Sequence, residues 1–341
     1  MSPIPVTVLT GYLGAGKTTL LNRILSEDHG ARYAVIVNEF GEIGIDNALI
    51  VGADEEVFEM SNGCVCCTVR GDLIRVLQGL MKRQASAARG FDAIIVETTG
   101  LADPGPVAQT FFVDDDVRAR TRLDSVTTVV DAKHVLASLA DSREAREQIA
   151  FADLIVLNKI DLASDAELRA IETRLRRLNP LAQIHRARRG DVPLSAIIGQ
   201  GGFDLERIVG LEPHFLEPAH GEAGHVHSPN CDGDDHGADH VHDEDIKGVS
   251  LRLDRPVDGQ KVSRWLNDLL AAQGQNILRA KGIVDVAGEE RRLVFQAVHM
   301  ILEGDLQRPW KAGEDRGSRM VFIGRDLDAA ALKAGFEACV A

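Results

Sequence analysis

Residues 11–18 read Gly-Tyr-Leu-Gly-Ala-Gly-Lys-Thr and match the pattern G-x-x-x-x-G-K-[ST]. The apolar run 5–10 before them predicts a β-strand, and the stretch 18–30 after them predicts a helix capped by Gly30. Glycines in such a turn let backbone N–H groups approach phosphate oxygens, and the helix N-terminus adds partial positive charge. This context predicts a phosphate-binding loop in which Lys17 reaches the β- and γ-phosphates and Thr18 binds Mg²⁺. The alternative, a chance glycine turn, is disfavoured by the flanking strand and helix.

Alternating strands and helices continue from this loop to about residue 210. The strand patterns are rich in valine and isoleucine and nearly continuous in apolar character, which indicates strands that are buried on both faces. They cover residues 5–10, 33–39, 93–99, 126–132, 154–161 and 182–187. The predicted fold class is therefore α/β, a P-loop NTPase with a doubly wound, mostly parallel sheet.

Three parts are predicted along the chain. Residues 1–210 form the nucleotide-binding domain. Residues 211–245 are rich in His, Asp, Gly and Pro and offer little to bury, which predicts a flexible linker. In residues 246–341, strand patterns at 248–258, 276–287, 291–301 and 318–326 and helix patterns at 259–272 and 327–341 predict a small α+β domain.

Composition excludes several classes of protein. The 341 residues carry a net charge of −14, which argues against nucleic-acid binding. No apolar run reaches the roughly 18 residues of a membrane span, and the N-terminus lacks the features of a secretory signal. The sequence therefore predicts a cytoplasmic protein that binds neither nucleic acid nor membrane. Three of the five cysteines lie close together, which favours a metal or reactive-thiol role over a disulfide framework.

Two further segments predict contacts with a guanine nucleotide. Asn158-Lys159-Ile160-Asp161 follows a strand, and a carboxylate there can accept hydrogen bonds from both donors on the guanine edge. Glu97 and Gly100 end another strand, where an acidic residue would hold Mg²⁺ and a glycine N–H would sense the γ-phosphate. The alternatives are a plain strand-to-turn ending and a capped strand end.

Cys64, Cys66 and Cys67 predict a metal site. Three thiols within four residues can point at one centre, and thiolates favour Zn²⁺, Co²⁺ or Cu⁺ over Mg²⁺. Glu39 and Glu42 are the nearest carboxylates that could complete it. The alternative is three core cysteines, but the flanking residues predict a loop and a helix start. Because residues 38–46 lie where the first switch loop of a GTPase belongs, we expect the γ-phosphate to order this region and change the metal site.

The predicted linker contains most of the histidines. Imidazoles interleaved with carboxylates could collect divalent metal weakly, whereas a solvated acidic linker is the better interpretation of any single histidine. The residues concerned are His214, His220, His225, His227, Cys231, His236, His240 and His242.

These motifs together resemble the CobW-type P-loop GTPases, in their YjiA-like, zinc-homeostasis branch. The matching segments are GYLGAGKTTLL (11–21), VNEFGEIGID (37–46), SNGCVCC (61–67), ETTGLADPGPVAQTFF (97–112), TVVDAKH (128–134), NKID (158–161), LRAKGIV (278–284), FQAVH (295–299), RPW (308–310) and MVFIG (320–324). The resemblance implies GTP hydrolysis, transition-metal binding at the cysteines and delivery of metal to a client protein. By position it implies that Gly11, Gly14, Ala15, Gly16, Lys17, Thr18, Thr19, Gly100, Asn158, Lys159 and Asp161 contact the nucleotide.

The chain departs from some relatives at Val37, where a metal-binding Glu stands in a related protein, and at Asp114, near a related protein's His. No residue takes the role of a water-orienting Gln or an arginine finger, so turnover is expected to be slow. Lys17, Thr18 and Glu97 are the catalytic candidates. The predicted cofactors are GTP or GDP, Mg²⁺ and Zn²⁺, with Co²⁺ as the alternative.

The leading hypothesis is a GTP-gated zinc metallochaperone with an unidentified client protein, and a homodimer is possible. A cobalt chaperone for cobalamin synthesis or nitrile hydratase activation is the second candidate. A non-catalytic metal buffer built on the histidine-rich segment and a redox sensor built on the neighbouring thiols are alternatives of other classes.

Overall fold

The structure is a computed structural model that describes residues 3–27, 32–38, 56–60, 66–86, 90–203, 246–311, 313–314 and 316–341. The chain divides into two compact units, Met1–Leu175 with Leu181–Ile208 and Arg176–Pro180 with Val209–Ala341. The predicted linker lies outside the described residues, so the domain boundaries at 210 and 245 stay predictions. None of the described helices is both long and apolar enough to cross a membrane.

A seven-stranded sheet forms the centre of the N-terminal unit, and all its neighbouring strands run parallel. The strands are β1 (Ile4–Thr10), β2 (Tyr33–Asn38), β3 (Glu56–Met60), β4 (Ala93–Glu97), β5 (Thr121–Asp131), β6 (Leu154–Asn158) and β7 (Gln183–Arg186). Their order is β3-β2-β4-β1-β5-β6-β7. The predicted fold class is confirmed.

Helices alternate with these strands. They are α1 (Lys17–Ser26), α2 (Cys66–Ser86), α3 (Gly105–Val113), α4 (Asp115–Arg120), α5 (Val135–Asp141), α6 (Arg143–Phe151) and α7 (Asp165–Leu178). In α1, buried Leu20, Leu21, Ile24 and Leu25 form one apolar stripe against the sheet. The predicted end of this helix at Gly30 is wrong, because Glu27 is already extended and caps the helix through its N–H.

Two strand predictions need correction. β3 was not predicted, because its sequence EVFEM contains two glutamates in five residues and it is the outermost strand of the sheet. The strand predicted over 154–161 ends at Asn158, since Lys159 takes a left-handed conformation (φ 61°) and Ile160–Leu162 form a 3₁₀ turn.

The C-terminal unit contains a five-stranded antiparallel sheet in the order β11-β10-β9-β12-β8. Its strands are β8 (Ile246–Leu253), β9 (Ile277–Val284), β10 (Arg291–Val298), β11 (Ile301–Pro309) and β12 (Ser318–Arg325), and its helices are α8 (Gly259–Gln273) and α9 (Ala329–Glu337). The α+β prediction is confirmed, but β11 was missed because a tight turn at 299–300 joins it directly to β10.

One apolar core fills the space between this sheet and its two helices. Val262, Leu266 and Leu270 of α8 face it, and the Trp265 ring stacks on Phe336 of α9 at 5.8 Å between centroids. Cys339, the cysteine nearest the C-terminus, is buried in this cluster, and burial raises the pKa of its thiol. A buried, uncharged thiol of this kind is a packing residue.

Candidate nucleotide-binding site

The glycine-rich loop joins β1 to α1 at the carboxyl edge of the parallel sheet. Gly11 has φ +144°, and a Cβ there would lie 2.3 Å from the backbone oxygen of Val129. Gly14 (φ +72°) and Gly16 (φ +110°) also have positive φ, which disfavours any other residue. The loop therefore has a path that only its glycines permit, as the sequence predicts.

The N-terminus of α1 is left open to a ligand. Its N-cap is Gly16, which offers no side chain, and no acidic residue lies in the first turn. The N–H groups at this end thus lack a side-chain cap and carry the positive end of the helix dipole. The Lys17 Nζ donates a hydrogen bond to the Gly11 carbonyl oxygen at 2.8 Å, which holds the ammonium group across the loop. This arrangement suits a polyphosphate.

Asn158, at the end of β6, binds the loop from the side. Its Nδ2 donates to the Ala15 carbonyl oxygen at 3.0 Å, and its Oδ1 accepts from the Gly190 N–H at 2.9 Å. The side chain is almost wholly buried, and a Cβ on Gly16 would lie 2.5 Å from its Nδ2. Asn158 thus fixes the loop, while a contact between Asn158 and a guanine base stays a prediction.

Lys159 and Asp161 continue from this strand end. The left-handed backbone of Lys159 directs its ammonium back to the loop, where Nζ donates to the Gly14 carbonyl oxygen at 2.8 Å. The Asp161 side chain is 39% exposed, and its Oδ1 lies 3.8 Å from Arg188 Nε. An exposed carboxylate at this strand end is available to a ligand, and the role of Asp161 in binding a guanine base stays a prediction.

Asp131, at the end of β5, belongs to this site and was not predicted. Its Oδ2 accepts from Lys159 Nζ at 2.7 Å and from His134 Nδ1 at 3.0 Å, and its Oδ1 accepts from the Lys133 N–H at 2.8 Å. Burial alone would raise the pKa of this carboxyl, but the three hydrogen bonds outweigh it and hold the pKa below its ordinary value. An acidic residue at the end of an apolar strand, as in VTTVVD, was the signal that could have identified it.

The end of β4 approaches the loop from the other side. The Glu97 side chain is buried, and Thr98 Oγ1 donates to Thr10 Oγ1 at 2.8 Å. A Cβ on Gly100 would lie 2.6 Å from Leu13 Cδ2 and 2.9 Å from the Leu13 nitrogen, so the turn after β4 packs directly on the glycine-rich loop. This position suits a glycine whose N–H senses the last phosphate.

The donor atoms fit Mg²⁺. Thr18 at the start of α1 offers a hydroxyl, and Glu97 offers a carboxylate at the adjacent strand end, since Leu9 of β1 pairs with Glu97 of β4. Mg²⁺ prefers such hard oxygen ligands and takes the remainder from phosphate and water. Thr18 and Glu97 would hold the ion, which would neutralise charge on the phosphates.

The predicted thiolate site falls mainly outside the described residues. Cys64, Glu39 and Glu42 are not among them, and neither are the linker histidines. Cys66 and Cys67 are the first two residues of α2, although their side chains are not described. Within the described ranges, no group of three or more His, Cys, Asp or Glu side chains could hold a metal.

Val37 and Asp114, the two positions at which a departure from a related protein is expected, have structural roles here. Val37 is buried in β2 and pairs with Glu97 of β4 on one side and Glu59 of β3 on the other. Asp114 is the N-cap of α4, and its Oδ1 accepts from the Val117 N–H at 2.9 Å. Asp114 therefore stabilises a helix start here.

The model of the CobW/HypB/UreG nucleotide-binding domain matches residues 5–186, and that of the cobalamin synthesis protein CobW C-terminal domain matches residues 246–340. The zinc chaperone YjiA of Escherichia coli K12 is 38% identical over 337 residues, or 98% of each chain. The zinc-regulated GTPase metalloprotein activator 1 of Schizosaccharomyces pombe is 40% identical over 220 residues, 62% of this chain and 53% of that protein. A crystal structure of Zn(II)-bound YjiA GTPase from E. coli matches with a TM-score of 0.77 at 33% identity over the full length of both chains.

Proposed function

The chain belongs to the CobW/HypB/UreG family of P-loop GTPases, and on this premise we propose that it is a GTP-hydrolysing metallochaperone whose cargo is zinc. Zinc binds at Cys64, Cys66 and Cys67 and passes to a metal-requiring client protein. The names of the two relatives, a zinc chaperone and a zinc-regulated metalloprotein activator, support this cargo and this kind of client. Cobalt is the alternative cargo.

The strand order is the observation that carries the proposal. From its outermost strand inward the sheet runs β3, β2, β4, β1. All four strands are parallel, so their carboxyl ends lie on the same side of the sheet. In the same order, these ends lead to the cysteines, to Glu39 and Glu42, to Glu97 and Gly100, and to the phosphate-binding loop. At about 4.8 Å per strand, the ends of β3 and β1 are roughly 14 Å apart.

The pairing of β2 with β3 supports one metal site that draws on both segments. Asn38, the last residue of β2, lies directly opposite Met60, the last residue of β3. Glu39 follows the first of these residues, and the cysteine segment starts a few residues after the second. Thiolates with a carboxylate are a suitable donor set for Zn²⁺, and an exchangeable carboxylate suits a site that releases its metal.

The same strand order supports gating of the metal site by GTP. The turn at Gly100 packs on the phosphate loop, and its strand β4 lies between β1 and β2. A γ-phosphate that moves this turn also acts on the neighbouring segment that carries Glu39 and Glu42, as in an order–disorder switch. Lys17 and Thr18 position the phosphates, and a Mg²⁺ ion held by Thr18 and Glu97 would neutralise charge while the γ-phosphoryl group passes to water.

Competitive metal titration tests the proposal. Zn²⁺ and Co²⁺ are titrated against a calibrated chelator with Mg²⁺-GTP, with Mg²⁺-GDP and without nucleotide. The wild type is compared with a variant that carries Cys64→Ser, Cys66→Ser and Cys67→Ser. We expect tight zinc binding that depends on nucleotide and is lost in the variant, whose GTP hydrolysis continues. Tight cobalt binding instead would replace the cargo, and metal binding indifferent to both nucleotide and cysteines would reject the proposal in favour of a histidine-based buffer.

A further inference from the structure

The Lys159 ammonium group donates hydrogen bonds to two acceptors within the protein itself. Its Nζ donates to the Gly14 carbonyl oxygen at 2.8 Å and to Asp131 Oδ2 at 2.7 Å. Asp131 lies at the end of a different strand, and only 11% of its side chain is exposed. Charge-assisted hydrogen bonds of this length are strong and directional. Asp131 therefore determines where the lysine ammonium lies along the phosphate loop.

Gln148 holds the turn after β4 in a comparable way. Its Nε2 donates to the carbonyl oxygens of both Gly100 and Ala102, each at 3.1 Å, and the residue is 1% exposed. Thr128 Oγ1 donates to the Gln148 carbonyl oxygen at 2.8 Å, which anchors this part of α6 on β5. One side chain thus spans the turn that packs against Leu13 of the phosphate loop.

The side-chain amide of Gln148 lowers the stability of the fold, and its bonds to the turn after β4 explain why it is present. Its Oε1 is buried and has no hydrogen-bond partner in the described part of the chain. A buried acceptor without a partner is unfavourable and uncommon in folded proteins. A leucine or methionine would fill the same volume and would leave no buried acceptor without a partner. The two hydrogen bonds to the turn therefore explain why this residue is an amide.

We propose that Asp131 and Gln148 are positioning residues for the two parts of the nucleotide site. Asp131 acts through Lys159 on the part that contacts groups common to GTP and GDP. Gln148 acts through Gly100 on the part that contacts the γ-phosphate. Both roles rest on the proposed nucleotide site. The two residues differ in what they predict: Asp131 affects both nucleotides alike, whereas Gln148 affects the preference for GTP over GDP.

Asp131→Asn tests the first role by the release rate and affinity of fluorescent GDP and of a non-hydrolysable GTP analogue. Loss of a charge-assisted bond predicts both affinities weaker by about 10- to 100-fold. Removal of a negative charge near a polyanion would by itself tighten binding, so the sign separates positioning from simple electrostatics. Unchanged or tighter binding of both nucleotides would overturn this role.

A double-mutant cycle shows whether Asp131 works through the lysine. Lys159→Met removes both bonds of the ammonium, so Asp131→Asn in that background should change nucleotide affinity by less than about twofold. Full additivity of the two substitutions would mean that Asp131 acts elsewhere and would overturn the proposal. If Lys159→Met itself leaves affinity unchanged, the proposed nucleotide site fails, which is a result distinct from failure of the Asp131 role.

Gln148→Met tests the second role and keeps the volume of the side chain. We expect the GTP analogue to bind about tenfold more weakly while GDP affinity changes by less than about twofold, because only the γ-phosphate reaches the turn. Asp131→Asn is the matched control, since it should leave the ratio of the two affinities unchanged. Thermal unfolding of each nucleotide-free variant checks folding, and an unchanged GTP-to-GDP ratio in folded Gln148→Met would overturn this role.

Discussion

The charged side chains at the two sheets of this protein have different partners. In the parallel sheet the carboxyl ends of all strands lie on one side. Glu97, Asp131, Asn158 and Lys159 therefore lie around the N-terminus of α1, which has no side-chain cap. In the antiparallel sheet the carboxyl ends of neighbouring strands point to opposite sides, and charged side chains next to this sheet form ion pairs with one another. Arg292 and Arg308 both donate to Glu314 at 2.9 Å, and Arg292 and Arg316 lie over the Trp310 ring at 5.5 and 5.7 Å.

The difference shows how sheet topology separates binding from stability. At the carboxyl ends of parallel strands, polar groups lie close together and can still form hydrogen bonds with a ligand. In the cluster of Arg292, Arg308, Trp310, Glu314 and Arg316 the charged groups contact one another or the Trp310 ring, and removal of the buried Arg292 from its ion pair should be destabilising. Charge in the N-terminal unit should therefore govern nucleotide affinity, whereas charge in the C-terminal unit should govern stability. Both tryptophans, Trp265 and Trp310, lie in the C-terminal unit, so tryptophan fluorescence reports its unfolding.

Lys17→Ala should have the largest effect. Removal of the ammonium that faces the phosphates is expected to lower GTP affinity and hydrolysis by about 100-fold or more. Fluorescent-nucleotide titration and phosphate release measure it. The urea midpoint seen by tryptophan fluorescence should not move, and a shifted midpoint would contradict the separation of the two roles.

Arg292→Ala tests the opposite side of the comparison. Arg292 is 2% exposed, and its removal breaks its ion pair with the partly exposed Glu314 and its contact with Trp310. We expect the C-terminal unit to lose about 3 kcal/mol of unfolding free energy in urea, with nucleotide affinity unchanged. Arg255→Ala, at an exposed arginine of the same unit, is the matched control and should have little effect. Equal losses in both variants would show that burial of Arg292 contributes nothing.

The pH dependence of stability sharpens the same point. The hydrogen bond from Arg308, helped by the Lys311 N–H and by the charge of Arg292, lowers the pKa of Glu314 to about 2, against the effect of burial. A lowered pKa contributes stability that is complete above the ordinary pKa of 4.5 and is lost as pH falls towards about 2. Because the Glu314 side chain is 25% exposed, solvent screening reduces this contribution, and the loss should be on the order of 1–2 kcal/mol. Urea unfolding between about pH 7 and pH 3 should show this decline in the wild type and much less of it in Glu314→Gln.

Helix caps should give the smallest effects, one in each unit. Asp258 accepts from the Gln260 and Lys261 N–H groups at the start of α8, and Asp114 accepts from the Val117 N–H at the start of α4. Replacement of either by alanine should cost about 1 kcal/mol of the stability of its own unit. Tryptophan fluorescence should register Asp258→Ala, and hydrogen exchange of α4 amides should register Asp114→Ala. An effect of Asp114→Ala on the fluorescence midpoint would show coupling between the units.

Local patterns predicted most of the fold. The buried parallel strands have continuous apolar runs because both faces are covered, and this signal located β1, β2, β4, β5 and β6. It failed for β3 and β11, which contain charged residues among their apolar ones and lie at sheet edges. Edge strands are half solvated, so their apolar signal is weak and only pairing with a neighbour reveals them.

The sequence by itself determined the phosphate loop, since eight consecutive residues carry its glycines, its lysine and its hydroxyl and adopt one local path. Only the tertiary structure decided what surrounds that loop. Asn158 reaches it from 143 residues away, Gln148 reaches the Gly100 turn from 48, and Asp131 meets Lys159 across 28. No local pattern encodes such contacts, because they exist only once strands far apart in the chain lie side by side in the order set by packing.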